Sequence, residues 1–67
     1  MGKILGRKMF EIYTITLEQE GENDFCVYLA SYGGKQLIRQ YNNYLEANKL
    51  FKDINEYNLF DYLKRSY

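Results

Sequence analysis

The turn Gly21-Glu22-Asn23 constrains this chain more than any other segment, because the residues on its two sides fall into one antiparallel register. With Glu20 opposite Asp24, Leu17 faces Val27, Ile15 faces Leu29 and Tyr13 faces Ser31. Side chains alternate between the two faces of a strand, so this pairing collects Tyr13, Ile15, Leu17, Phe25, Val27 and Leu29 on one side of a hairpin. A slip of one residue would send a strand's whole apolar set to the other side. The register therefore predicts a hairpin with one apolar face. It also defines a second face, which carries tyrosines and basic groups.

The neighbouring segments extend this unit. Residues 9–20 read as the first strand and 24–32 as the second. Phe10 and Ile12 are out of phase with Tyr13, Ile15 and Leu17, which predicts a bulge near Ile12 or Tyr13, or apolar character on both faces there. Tyr32-Gly33-Gly34-Lys35 reads as a tight turn with the two glycines at its tip, since glycine tolerates the positive φ that such turns need. A third strand over 35–41 then sets Ala30 opposite Leu37, Leu29 opposite Ile38, Tyr28 opposite Arg39 and Cys26 opposite Tyr41. Asn43, with Glu46 three residues later, marks a helix start. Tyr44, Ala47, Leu50, Phe51 and Ile54 form its apolar stripe, and Leu45 points away from it. A short last helix over about 59–66 would take Asn58 as its cap and Asp61 in its first turn.

These signals predict an α+β fold, a three-stranded antiparallel β-meander packed on one α-helix, plus a short C-terminal helix. Residues 1–8 carry Lys3, Arg7 and Lys8 and no acid, and read as a basic N-terminal arm. Residues 9–67 read as a single β-β-β-α-α domain. Met9 is an alternative start that would make the arm dispensable.

Composition narrows the function classes. A chain of 67 residues with one cysteine and no histidine has no internal disulfide and lacks the commonest general base and metal ligand. Domains of this size bury only about 60% of their unfolded surface, so oligomerisation or unusually good packing is expected to help. Nine basic and nine acidic residues cancel, which argues against a non-specific nucleic-acid binder. No apolar run is long enough for a membrane helix, the start lacks a signal-peptide core, and Gly6 stands where a myristoylation signal wants Ser or Thr. The expected location is cytoplasmic. Frequent Asn, Lys, Ile and Tyr suit an AT-rich genome such as that of a phage or mobile element.

No residue set points to catalysis or to a cofactor. Ser31 and Ser66 lie in no motif, and Cys26 reads as a structural strand residue. Glu18, Glu20, Glu22 and Asp24 alternate without the glycine and ligand spacing of a calcium loop, and read as a solvated hairpin tip. Gly33-Gly34 is a turn and not a phosphate loop, because no Lys-Ser/Thr and helix follow it.

The second sheet face remains. It would be covered by Leu59, Phe60 and Leu63 of the last helix, or stay open and bind a partner through Tyr28, Tyr32, Lys35, Leu37, Arg39 and Tyr41. Tyrosine and arginine are enriched at binding hot spots. Glu18, Glu20, Glu22 and Asp24 would steer a basic partner.

Gly33-Gly34-Lys35 opening the third strand, with Glu46-Ala47 and Phe51 in the helix, resembles the arm-site DNA-binding modules of tyrosine integrases, which share the AP2-type architecture. The resemblance spans roughly residues 10–56. It implies DNA reading by Tyr28, Lys35, Arg39 and Tyr41, whereas the acidic first hairpin departs from those basic sheets. The first reading is thus a non-enzymatic protein-binding module, an inhibitor or accessory factor of a mobile element. DNA binding through the same face ranks second, and a structural homodimer that pairs the edge of the third strand ranks third.

Overall fold

Alternating apolar residues and tight turns lay the chain out as an antiparallel meander. The computed structural model describes residues 2–11, 13–55, 57–59 and 61. Its elements are β1 (Lys3–Met9), β2 (Thr14–Gly21), β3 (Asp24–Ser31), β4 (Gly34–Tyr41) and α1 (Tyr44–Asp53). The strands form one open sheet in the order β1-β2-β3-β4, with α1 on one side.

The central hairpin keeps the expected register. Leu17 is opposite Val27 and Ile15 is opposite Leu29, while an irregularity at the turn pairs Gly21, not Glu20, with Asp24. The sheet has four strands where three were expected. Residues 3–9 are no arm: they pair along β2, with Gly6 opposite Leu17, Arg7 opposite Thr16 and Met9 opposite Thr14. A register shift between Ile4 and Gly6 interrupts the alternation that would have marked them as a strand. The phase change at Phe10 is the turn joining β1 to β2. Phe10 N–H donates to the Tyr13 carbonyl at 2.8 Å, and the two rings lie 5.1 Å apart. Ile12 lies outside the described residues.

The β3–β4 register also differs from the expected one. Tyr32 and Gly33 make the turn, Ser31 pairs with Gly34, and Gly34 takes the positive φ of 123°. Tyr28 is therefore opposite Leu37 and Ala30 is opposite Lys35. A bulge at Ile38 then shifts the count, so that Val27 is opposite Arg39 and Phe25 is opposite Tyr41. Opposed residues share a face, so Arg39 and Tyr41 fall on the helix side and not on the second face.

The core lies between the sheet and α1. Ile15, Leu17, Val27, Ile38, Ala47, Leu50, Phe51, Ile54 and Leu59 are buried in one cluster, with Tyr41 packed against it. Asn43 caps α1 as expected, its Oδ1 accepting from Glu46 N–H at 2.9 Å, and Leu45 is exposed. Two contacts tie β1 to this helix. A Cβ on Gly6 would stand 2.9 Å from the Phe51 ring, so only glycine permits that approach. Lys8 Nζ donates to the carbonyls of Lys52 at 2.9 Å and Ile54 at 3.0 Å, and lies 5.2 Å from the Phe51 ring centroid.

Past α1, Asn55 closes a turn ahead of Leu59, and Asn58 directly precedes the helical Leu59, its carbonyl accepting from Asp61 N–H at 3.1 Å. The Asn55 Oδ1 accepts from Tyr57 and Asn58 N–H, and the Asn55 carbonyl accepts from Leu59 N–H. Asn58 turns back, donating from Nδ2 to the Asp53 carbonyl at 2.9 Å. Leu59 enters the helix-side core and does not cover the second face. The rest of the expected last helix, with Phe60 and Leu63, lies outside the described residues. Among the described residues, no helix is long and apolar enough to cross a membrane.

A charged and aromatic network on the helix-free face

The strand registers place the second face in rows. Nearest the Tyr32-Gly33 turn stand Met9, Thr14, Ala30 and Lys35, followed by Arg7, Thr16, Tyr28 and Leu37. Ile4, Glu18, Cys26 and Gln40 come next, and Glu20 and Asp24 lie beside the Gly21–Asn23 turn. Among the described residues no element packs on this face, because α1 and Leu59 both belong to the other side.

The middle of the face is held by bonds between its own side chains. Glu18 accepts from Thr16 Oγ1 at 2.9 Å and pairs with Lys35 Nζ at 2.6 Å. The same ammonium stands 4.2 Å from the Tyr28 ring centroid, in cation–π geometry. Tyr28 Oη donates to Glu20 Oε1 at 3.2 Å, and the Glu20 carboxylate leans over Gly2. Cys26 Sγ donates to Asp24 Oδ1 at 3.6 Å, and that oxygen also accepts from Gln40 Nε2. Thr16, Glu18 and Cys26 are buried on this face.

This packing sets the chemistry of the ionisable groups. Burial is the first cause that pushes the Tyr28 phenol far above its ordinary range, and its bonds with Cys26 and Glu20 add to it. Burial likewise raises the Cys26 thiol; a bond from Tyr28 opposes this, while Asp24 and Glu20 reinforce it. Both groups stay protonated at neutral pH, so Cys26 has the character of an inert thiol. Among the described residues, no three acidic or thiol side chains converge as a metal-binding group.

The residues singled out from sequence thus separate. Tyr28, Lys35 and Leu37 share the second face, while Tyr32 projects fully exposed from the hairpin tip. Arg39 and Tyr41 are on the helix side, the Arg39 guanidinium donating to the Ile38 carbonyl. Of the four steering acids, Glu18, Glu20 and Asp24 are engaged within the network and Glu22 is exposed at the turn. Ile4, Arg7 and Met9 on β1 were missed. The pairing of Arg7 and Met9 with Thr16 and Thr14 was available only if residues 3–9 were read as a strand. No protein-family model matches the chain, and no curated protein or solved structure matches it.

Proposed function

We propose that this protein is a small non-enzymatic module that binds another protein through the helix-free face of its sheet. One observation carries the reading: the face pairs Lys35 with Glu18 internally and leaves apolar side chains open. Ile4 is 58% exposed, Met9 77% and Leu37 44%, around a centre where Lys35 is neutralised by Glu18. Exposed apolar groups gathered on one face are the usual mark of a protein contact.

The same observation disfavours DNA. Lys8 is occupied by helix carbonyls and Lys35 by Glu18, which leaves Arg7 on a face that also carries Glu18, Glu20 and Asp24. Phosphates would be repelled there. The test is capture from nuclease-treated lysate with wild type, with Met9→Asp/Leu37→Asp, and with Leu45→Asp on the outer side of α1. The expected catch is a stoichiometric protein, a second copy of the chain included, held by wild type and Leu45→Asp and lost by the double variant. Capture that survives the double variant, or that disappears with nuclease, would overturn the reading.

A further inference from the structure

We infer that the protein taken by this face is a second copy of the chain, seated face to face about a two-fold axis that runs across the strands. The inference rests on the docking reading above and names its partner. Its basis is the uneven charge of the face. Among the described residues both cations of the face, Arg7 and Lys35, start from the half nearest the Tyr32-Gly33 turn, the Lys35 ammonium reaching across to Glu18 so that Arg7 is the charge left at that end. Among the described strand residues its acids, Glu18, Glu20 and Asp24, stand in the half nearest the Gly21–Asn23 turn, while Glu11 lies off the strands, in the β1–β2 turn beside Met9 and Thr14. Lys3 also lies at the acidic end, but its register with Gln19 puts it on the helix side.

A face polarised along the strands is complementary to itself when one copy is reversed end to end. Isologous two-fold packing performs that reversal. Because the Glu20 carboxylate leans over Gly2, it lies on the β1 side of the face, the side that carries Arg7. The two-fold operation therefore brings Arg7 of each copy toward Glu20 of the other, twice per dimer. Lys35 and Glu18 already neutralise each other and form the flat centre of the contact.

Area and edges agree with this arrangement. Four strands about 4.8 Å apart, three of eight residues and one of seven, at about 3.3 Å per residue make a face of roughly 500 Å². Two such faces bury on the order of 1,000 Å², the threshold of a specific interface and the size of a reversible dimer. Edge-to-edge pairing is the other route to a dimer, and both edges oppose it. β1 is irregular between Ile4 and Gly6, and β4 is bulged at Ile38.

Sedimentation equilibrium over a wide concentration range tests the inference, with Arg7→Glu, Glu20→Arg and their equimolar mixture. Wild type is expected to show a monomer–dimer equilibrium. Each variant alone opposes like charges twice and should weaken association about tenfold or more, while the mixture restores both pairs and recovers it. Leu37→Asp, a change at the surface, should weaken association similarly without touching the charge pattern. A wild-type monomer at every concentration would overturn the inference, and so would dimerisation that ignores these substitutions or a mixture that fails to recover. A monomeric wild type that still captures a different protein through Met9 and Leu37 overturns the inference alone. A wild type that does neither overturns the docking reading as well.

Discussion

Lys8 is a surface lysine by composition and a helix terminator by position. The last carbonyls of a helix lack N–H partners within it, so an amine donor placed there satisfies them, and the negative end of the dipole offsets part of the cost of burying its charge. Lys8 reaches this place from the far end of the sheet and bonds two carbonyls. Lys8→Met is therefore expected to cost about 1–2 kcal/mol of stability, measured by denaturant unfolding at neutral pH. The pH response adds a signature. Burial lowers the Lys8 pKa below 10.5, and the attraction of Asp53 only partly opposes it. The folded protein thus releases this proton before the unfolded chain does, so the unfolded state binds more protons as pH climbs toward 10.5. The contribution of Lys8 to stability rises over that window, and the wild type should gain relative to Lys8→Met. A gap between the two that narrows with alkalinity would contradict this assignment.

At the scale of elements, legibility in the sequence followed periodicity. The β2–β3 hairpin and α1 were readable because Ile15, Leu17, Val27 and the Ala47–Leu50–Phe51 stripe keep strict periods of 2 and 3.6. β1 was not, because its bulge between Ile4 and Gly6 breaks the alternation and its lysines look solvated. The end of β4 was misassigned for a related reason. Three consecutive candidates, Tyr32, Gly33 and Gly34, could form the turn, and no local rule reveals the bulge at Ile38 that moves Arg39 and Tyr41 across the sheet. About half of the candidate site was thereby visible: Tyr28, Lys35 and Leu37, but not Arg7 or Met9. The status of β1 as a full element has a direct test. A chain starting at Met9 loses the Gly6–Phe51 approach and the Lys8 bonds, and leaves β2 as an unprotected edge. It is expected to lose its cooperative thermal transition by circular dichroism. A sharp melt near the wild-type midpoint would show that β1 is dispensable.

For the whole molecule, the open sheet poses a problem of specificity: among the described residues it has two unpaired edges and one face on which no element packs. Bulges at both edges deny a regular ladder to an incoming strand, which leaves the face as the orderly route to association. Deleting Leu5, the residue at the β1 irregularity, would straighten that edge. The expected result is concentration-dependent aggregation by light scattering, distinct from the finite dimer proposed for the intact chain. A Leu5 deletion as well behaved as wild type would mean that the irregularity has no protective role.

The bonds from Lys8 to the end of α1 span 44 and 46 positions along the chain. During synthesis, β1 leaves the ribosome before β2 and can pair with it while its anchor on α1 is still untranslated. The hairpins must wait, partly formed and with their apolar side open, until residue 54 has cleared the exit tunnel. Maturation of this protein is thus a closing step, in which an earlier strand receives the end of a later helix.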